Sequence, residues 1–340
     1  MSTPRSLALL GGPSTGKSTY LGALVDALQM KKFAHLEQEG LPQDARGLQR
    51  FAEPLLSGTY PQRTASGERL ELVAELRTTG DFFPPLSFTL RAGDYAGEEV
   101  ERLFRDRIHG WIPEWQQRAQ ASGFLLLVRP GKLTQPPHAP PATALDDQDR
   151  WRHLRQETAA SAPEPSPRDA PTAPTNADAF FGPLHLEEVP PPPRVPPSAP
   201  VTVPTSLAII ELLQFIRHVR KLVPGERPQA DERFRIALIV STWDSVDAAW
   251  RKAGPAAYLT HHLPLLEDYL WSNFAQDDVF RFGLSATGGD LHNPDYSSHY
   301  LDDPSGFVEW QEARGSIQHR KDIGLPLYWL LFGDRALGAP

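Results

Sequence analysis

A glycine-rich segment near the start of the chain limits the possible folds more than any other feature of the sequence. The apolar run of residues 7–10 leads directly into Gly11, and the segment from Gly11 to Ser18 reads Gly-Gly-Pro-Ser-Thr-Gly-Lys-Ser. Apolar residues then recur at the spacing of one helical face, at Leu21, Leu24, Val25 and Leu28. A buried strand, a glycine-rich turn and a helix in this order predict an α/β domain whose turn encloses phosphate groups.

Each residue type in this turn suits the binding of phosphate. Glycine at positions 11 and 16 permits backbone angles that point successive N–H groups inward, and the helix that begins near Lys17 adds the positive end of its dipole. Lys17 also brings a full charge, and Ser18 offers a hydroxyl to Mg²⁺, a hard cation that bridges phosphate oxygens. The predicted phosphate-binding residues are Gly11, Pro13, Ser14, Thr15, Gly16, Lys17, Ser18 and Thr19. The alternative is a glycine-rich turn that binds no ligand.

Apolar runs farther along the chain continue a β/α pattern. Alternation of apolar and polar residues predicts a hairpin of strands 70–77 and 86–94, with its turn at residues 78–85. Continuous apolar runs predict buried strands at residues 124–128, 235–240 and 280–286. We therefore predict a mostly parallel sheet with helices on both faces and with strand 70–77 as its one antiparallel edge strand. Residues 31–63 have weak periodicity and are expected to form a long connection.

Prolines are concentrated in one part of the chain, since 19 of the 35 lie between residues 130 and 204. Proline withholds a backbone donor and favours extended conformations, so this segment cannot build a core. We predict a disordered insertion at 130–204 that interrupts a single domain, because the β/α pattern continues on both sides of it. The two parts of that domain are then residues 1–129, with the glycine-rich turn, and residues 205–340, with the later strands and a C-terminal helical extension.

An acidic residue is expected at the same edge of the sheet as the glycine-rich turn. The string Asp94-Tyr95-Ala96-Gly97 begins at the end of the second hairpin strand. From this position Asp94 could reach a Mg²⁺-bound water, and the N–H of Gly97 could contact a γ-phosphate. Thr64 is the candidate for a hydroxyl that closes onto Mg²⁺, which would then be held by Ser18, Thr64 and Asp94. The alternatives are a plain strand-to-helix turn for the string, and Thr59, Ser57 or an ordinary polar loop in place of Thr64.

Two later strand ends supply candidates for recognition of a nucleotide base. Residues 241–244 read Ser-Thr-Trp-Asp, and the carboxylate of Asp244 can accept two hydrogen bonds from the N1 and N2 edge of guanine, which adenine cannot supply. The alternative role for Asp244 is that of a helix cap. Ser285 and Ala286 follow the last predicted strand, where a backbone N–H could meet the guanine O6.

Five elements occur in order along the chain: the glycine-rich turn, Thr64, the string that begins at Asp94, residues 241–244, and Ser285-Ala286. Their order resembles that of a Ras-like GTPase of the translation-factor-related class, over residues 7–287 without the insertion. The opening segment and the late Trp243-Asp244 are also similar to bacterial double-GTPase proteins of conflict systems. The resemblance implies the three-layer P-loop NTPase sheet, GTP and Mg²⁺ as ligands, hydrolysis of the β–γ anhydride, and a switch in which bound GTP orders two loops. It implies as catalytic residues Lys17, Thr64, Asp94, Gly97 and Glu98.

Two positions depart from the pattern of this class. Ser241 and Thr242 stand where relatives have Asn and Lys, which predicts weaker affinity for guanine. Glu98 stands where many relatives carry a glutamine that orients the attacking water. Because glutamate cannot donate a hydrogen bond to the γ-phosphate and its charge opposes the developing anion, we predict slow hydrolysis. The alternative functions are a P-loop ATPase and a non-hydrolysing, nucleotide-dependent scaffold.

Composition argues against several other classes of protein. The 34 Lys and Arg residues against 42 Asp and Glu give a net charge of −8, so nucleic acid is not an expected partner. Cysteine is absent, which removes disulfides and thiolate metal sites and suits a reducing cytoplasm. The apolar runs are shorter than the roughly 20 residues of a membrane span. The expected partners are GTP or GDP and a protein effector or activating protein.

Overall fold

The computed structural model describes residues 5–12, 14–40, 45–62, 69–95, 113–134, 203–222, 233–312 and 315–339. These residues belong to one compact unit, formed by Met1–Pro137 and Val203–Pro340. Pro13, Thr64, Gly97 and Glu98, together with nearly all of the predicted insertion, lie outside the described residues.

The unit is built from strands and helices that alternate over most of its length. The strands are β1 (Arg5–Gly11), β2 (Leu36–Gln38), β3 (Arg69–Thr78), β4 (Ser87–Tyr95), β5 (Gly123–Val128), β6 (Arg235–Ser241), β7 (Val279–Ser285), β8 (Phe307–Gln311) and β9 (Ile317–Arg320). The helices are α1 (Lys17–Gln29), α2 (Ala45–Leu56), α3 (Pro113–Ala119), α4 (Thr205–Val219), α5 (Ala248–Ala253), α6 (Pro255–His262), α7 (Pro264–Asn273), α8 (Pro294–Asp302) and α9 (Leu325–Phe332). None of these helices has both the length and the apolar character that crossing a bilayer requires.

The nine described strands form one sheet in the order β2-β3-β4-β1-β5-β6-β7-β8-β9. The five central strands, β4 to β7 in that order, pair in parallel. Both edges are antiparallel, with β2 and β3 on one side and β8 and β9 on the other. The prediction of a mostly parallel sheet with a single antiparallel edge strand is therefore wrong, since four of the eight strand pairs are antiparallel. Short edge strands of mixed polarity lack the apolar periodicity on which that prediction depended.

Side chains of the central strands alternate between two cores on opposite faces of the sheet. In β1, for example, Leu7 and Leu9 face one core while Ala8 and Leu10 face the other. The first core also takes side chains from α1, α2 and α9, and the second takes them from α3, α4, α6 and α7. The arrangement has three layers, because a helical layer covers each face of the sheet.

The described part of residues 31–63, which were expected to form a long connection, contains regular structure. It contains β2 and α2, and α2 packs closely on α1. A Cβ at Gly22 would lie only 2.2 Å from the carbonyl oxygen of Phe51, so the two helices touch through a residue that has no side chain. Pro54 lies inside α2, and a proline within a helix obscures the pattern by which helices are recognised.

The chain leaves the domain after β5 and returns before α4 at one point. The N–H of Thr205 donates to the carbonyl oxygen of Thr134 at 2.9 Å. The N–H of Thr134 donates to Oγ1 of Thr205 at 3.0 Å, and Oγ1 of Thr134 donates to the carbonyl of Val203 at 2.9 Å. We call this hydrogen-bonded closure of residues 134, 203 and 205 the stem. Beyond the stem, β5 pairs with β6, so the chain segments on both sides of it share one sheet.

Candidate nucleotide site

The phosphate loop joins the end of β1 to the start of α1. Ser14 has a φ of 55° and Gly16 a φ of 85°, so the backbone turns twice through the left-handed region. A Cβ on Gly11 would lie 2.6 Å from Thr15 Oγ1 and 3.0 Å from the carbonyl oxygen of Leu127. Only glycine therefore fits where β1 ends, and the loop is both tight and strongly curved.

Lys17 folds back over this loop. Its Nζ donates to the carbonyl oxygens of Gly11 at 2.8 Å and Gly12 at 2.9 Å, and the side chain is buried. The hydroxyl of Thr15 donates to the same Gly12 carbonyl at 2.9 Å. A charged phosphate oxygen is a stronger acceptor for an ammonium group than a neutral carbonyl. Lys17 is thus held where it can transfer to a phosphate that enters the loop.

Helix α1 presents an open N-terminus to the loop. Its N-cap residue, Gly16, makes no side-chain capping bond, and the first turn contains no acidic residue. That turn consists of Lys17, Ser18 and Thr19, so its N–H groups and the positive end of the helix dipole face the loop, and the turn itself carries no acidic side chain. The arrangement suits a bound anion.

Arg129 places a second cation at the loop, which the sequence analysis missed. Its Nη1 donates to the carbonyl oxygen of Ser14 at 3.0 Å. Arg129 follows β5 directly, and β5 pairs with β1 so that Leu127 is opposite Gly11. In the sequence, Arg129 is a basic residue immediately after a predicted buried strand. Its position at the phosphate loop can be inferred only when β5 is known to pair with β1.

The register of β4 brings Asp94 to the same edge of the sheet. Leu9 of β1 lies opposite Ala92 of β4, so Asp94, two residues farther on, is level with Gly11. Ser18 and Asp94 offer hard oxygen donors, a hydroxyl and a carboxylate, which are the ligand types that Mg²⁺ accepts. The other predicted switch residues, Thr64, Gly97 and Glu98, lie outside the described residues.

The end of β6 forms a turn beside the phosphate loop. A Cβ on Gly16 would lie 3.7 Å from the Cβ of Ser241, whose hydroxyl donates to the Val128 carbonyl at 3.1 Å. Thr242 follows with a φ of 47°, and its hydroxyl oxygen is buried without a hydrogen-bond partner in the described structure. A buried, unpaired hydroxyl is costly unless a ligand satisfies it, which favours a binding role for this turn.

Asp244 lies in the short 3-10 turn Trp243–Ser245 that follows. The N-cap of this turn is Thr242 and that of α5 is Asp247, so Asp244 does not cap a helix. Among the described residues nothing donates a hydrogen bond to its half-buried carboxylate. Burial, and then the charge of Asp244, raise the pKa of the Tyr296 hydroxyl.

The loop after β7 is held in shape by its own hydrogen bonds and by α8. Buried Ser285 accepts a bond from the N–H of Gly288 at 2.9 Å, and the hydroxyl of Tyr296 donates to the carbonyl of Thr287 at 2.8 Å. Gly288 adopts a φ of 79°. Ala286 therefore follows β7 in a loop of fixed conformation, at the same edge of the sheet as the turn after β6.

Tyr60 joins this loop to the segment that precedes Thr64, and the sequence analysis did not identify it. The N–H of Leu291 donates to the Tyr60 hydroxyl at 3.0 Å, and that hydroxyl lies 3.2 Å from Oδ1 of Asp290. The Tyr60 ring also lies 4.9 Å from the ring of His292. Burial raises the pKa of Tyr60, so its hydroxyl stays a donor. No local sequence pattern predicts the contact between Tyr60 and Leu291, which are 231 residues apart.

A phosphate loop, an acidic strand end and two ordered turns at one edge of neighbouring parallel strands define a P-loop nucleotide-binding protein. A family model for Double-GTPase 1 matches residues 8–330. The chain therefore belongs to the Double-GTPase 1 family, and it is a P-loop GTPase that binds GTP.

Two further comparisons were made. No curated protein matches the chain. Among solved structures, one that matches is the signal recognition particle receptor SRb-GTP/SRX complex from Chaetomium thermophilum, with 12% identity and a TM-score of 0.35, over 89% of this chain and 99% of that chain.

Proposed function

We propose that this protein is a Mg²⁺-dependent molecular switch that prefers GTP and hydrolyses it slowly. The observation that carries the proposal is the proximity of Gly16 to Ser241, where a Cβ on Gly16 would lie 3.7 Å from the Cβ of Ser241, so the phosphate loop lies beside the turn that leads to Asp244. One ligand with a triphosphate at one end and a base at the other can span these two elements. Ligands of open α/β sheets bind in this position, outside the carboxyl ends of the strands.

At the phosphate end, the chain would act by positioning and by stabilising charge. Lys17 exchanges its two carbonyl acceptors for phosphate oxygens, and the N–H groups of the loop and of the first turn of α1 surround the phosphates. Ser18, Asp94 and Thr64 are the residues that would hold Mg²⁺, which neutralises phosphate charge when it is bound. Thr64 and Gly97 would respond to the γ-phosphate and so provide the switch.

Slow hydrolysis follows from the residue at position 98. Glu98 can accept a hydrogen bond from the attacking water, but it cannot donate one to the γ-phosphate, and its negative charge opposes the charge that develops there. A rate that is slow without help implies a protein partner that either accelerates hydrolysis or reads the GTP-bound form.

At the base end, the carboxylate of Asp244 would accept hydrogen bonds from the N1 and N2 edge of guanine. Its lack of any donor among the described residues supports this role, because an unsatisfied carboxylate gains most from a ligand that supplies donors. Thr242 offers its unpaired hydroxyl beside it, and the backbone after Ser285 and at Ala286 offers N–H groups to the guanine O6.

The cellular setting is proposed from the sequence. The resemblance of the opening segment and of Trp243-Asp244 to double-GTPase proteins of conflict systems supports a role in bacterial defence, and the absence of cysteine supports a cytoplasmic location. The partner would then be a component that responds to the nucleotide state.

Calorimetric titration with GTP and ATP in the presence of Mg²⁺ tests the proposal. We expect GTP to bind at least about tenfold more tightly, because an adenine would leave the Asp244 carboxylate without donors. In Asp244→Asn the GTP preference should fall and affinity for xanthosine triphosphate should rise, since an amide can donate to the xanthine O2. Lys17→Ala should lose all of these nucleotides while its circular dichroism stays unchanged.

The other outcomes separate the alternatives. Equal affinities for GTP and ATP would indicate a P-loop ATPase and would contradict the proposal. If GTP binds selectively but a single-turnover assay detects no phosphate release, the protein is a nucleotide-dependent scaffold rather than a GTPase switch.

A further inference from the structure

Trp243, which lies between Thr242 and Asp244, is held by a carboxylate from a distant strand. Its Nε1 donates to Oε2 of Glu309 at 2.6 Å. The indole is fully buried and Glu309 is only 7% exposed. The indole also lies directly on Gly283 of β7, where a Cβ would come within 2.4 Å of the ring. Trp243 is therefore fixed both by close packing and by a buried hydrogen bond to a carboxylate.

Glu309 is itself held by two further donors. Nη2 of Arg251 lies 2.7 Å from Oε1, and Nδ1 of His319 lies 3.2 Å from the same oxygen. Burial alone would raise the pKa of Glu309, but the hydrogen bonds from Arg251, Trp243 and His319 outweigh that effect and lower it. Glu309 is thus a charged acceptor, and hydrogen bonds to a charged acceptor are roughly twice as strong as neutral ones.

The antiparallel edge of the sheet creates this arrangement. Gly283 of β7 lies opposite Glu309 of β8, and Glu309 lies opposite His319 of β9, so the three residues form one row across the strands. The guanidinium of Arg251 and the ring of His319 both pack against Phe307. In this row Gly283 leaves space for the indole of Trp243, Glu309 accepts the indole N–H, and His319 contacts the carboxylate of Glu309.

The orientation of Asp244 depends on this row. Its carboxylate has no hydrogen-bond partner among the described residues, so the position of the carboxylate follows the position of the turn's backbone. Within that turn the Ser245 hydroxyl donates to the Thr242 carbonyl at 2.7 Å, a bond that fixes the local shape but not the angle of the turn relative to the sheet. Trp243 packs the turn against β7, on Gly283.

We propose that Glu309 is a positioning residue for base recognition: by holding Trp243 it orients the Asp244 carboxylate and thereby sets the preference for guanine over adenine nucleotides. The inference rests on the proposed function, because it takes Asp244 as the residue that reads the base. It assigns a role in specificity to β8 and β9, which lie at the far edge of the sheet from the phosphate loop.

The experiment compares the GTP-to-ATP affinity ratio in the full-length protein and in variants at this row. In Glu309→Leu the ratio should fall about tenfold through weaker GTP binding, with ATP affinity nearly unchanged. Glu309→Gln should lose less, because its amide oxygen can still accept from the indole. Glu267→Gln is the matched control, since Glu267 is another largely buried carboxylate, paired with Arg281 at 2.5 Å, and it should leave the ratio unchanged.

A double-mutant cycle tests whether Glu309 acts through Trp243. In a Trp243→Phe background, which lacks the indole N–H, Glu309→Leu should change the ratio by less than about twofold. Arg251 contacts Glu309 from its more exposed side. Arg251→Gln should therefore shift the GTP-to-ATP affinity ratio in the same direction as Glu309→Leu but by less. It replaces Glu309→Leu as the test variant if Glu309→Leu does not fold.

Each outcome bears on the inference. Suppose that the wild type prefers GTP, but that Glu309→Leu, or Arg251→Gln in its place, keeps the affinity ratio or lowers both affinities equally. Glu309 is then only a structural residue, and the inference is overturned while the proposed function stands. If the wild type shows no preference for GTP, the proposed function and the inference are both overturned.

Discussion

The proposed phosphate end and the proposed base end of the site are built from contacts of very different range. At the phosphate end, Lys17 bonds to the carbonyls of Gly11 and Gly12, all within one short segment of chain. At the base end, Trp243 depends on Glu309, 66 residues away. The loop after β7 is tied to Tyr60, which is 231 residues from its partner Leu291.

This difference reflects what each end has to recognise. A phosphate is a charge, and inward-pointing N–H groups with one cation bind it wherever the backbone can make a tight turn. A base is distinguished by the positions of its donors and acceptors, so a carboxylate that reads it has to be held at a fixed angle. The sheet supplies that angle through several strands, whereas the phosphate loop takes Lys17 and its N–H groups from one segment and adds Arg129 from the end of β5.

Exchange of Gly11 for alanine should have the largest effect and should act on phosphate recognition alone. The new Cβ would lie 2.6 Å from Thr15 Oγ1 and 3.0 Å from the Leu127 carbonyl, and backbone cannot move aside cheaply. We expect a loss of about 1–3 kcal/mol in the free energy of unfolding. GTP and ATP affinity should both fall about 100-fold or more, with their ratio unchanged.

The matched control for this variant is Gly12→Ala, whose Cβ would meet its nearest neighbour, a methyl group of Thr15, at 3.9 Å. It should retain most of the nucleotide affinity. Calorimetry and thermal melts measure both effects, and equal losses in the two variants would contradict the role given to Gly11.

Exchange of Gly283 for alanine should have a smaller effect on affinity and should act on base recognition. Its Cβ would come within 2.4 Å of the Trp243 indole, so the ring has to shift. The GTP-to-ATP ratio should fall about tenfold, the equivalent of about 1.4 kcal/mol, while binding of pyrophosphate stays the same. Gly338→Ala, where nothing lies within 4 Å of the new Cβ, serves as the control. A fall in pyrophosphate affinity as large as that for GTP would show that the two ends are not separable.

Replacement of residues 138–202 by a short Gly/Ser linker should have the smallest effect of all. The stem already joins Thr134 to Val203 and Thr205, so both ends of the site keep their supports. We expect nucleotide affinities within about twofold of the wild type, since each doubling of loop length changes the closure free energy by only about 0.6 kcal/mol. Loss of GTP binding in a folded deletion variant would show that the segment contributes to the site.

The same distinction between short-range and long-range contacts decides what the sequence could reveal. The phosphate loop was recognisable because its glycines, Lys17 and the flanking strand and helix are consecutive. The buried strands β1, β5, β6 and β7 were recognisable as unbroken apolar runs, and the hairpin of β3 and β4 as an alternating one. The final helix, α9, is almost entirely apolar and packs in the core.

The edges of the sheet and the supports of the base end were not recognisable. β2 has three residues and β9 has four, too few for any periodicity to stand out. The sequence gives no sign that Glu309 of β8 is buried. An ionised side chain is buried only when hydrogen-bond donors pair with it, and the donors here, Arg251 and Trp243, are distant in sequence. Long-range partners are a property of the folded chain.

The stem has a consequence for how this protein can diverge from its relatives. Because the chain leaves and re-enters the domain through hydrogen-bonded neighbours, the spacing of β5 and β6 does not depend on how many residues lie between them. Relatives can therefore differ in the length and sequence of that tract while the two parts of the domain on either side of the stem remain in register.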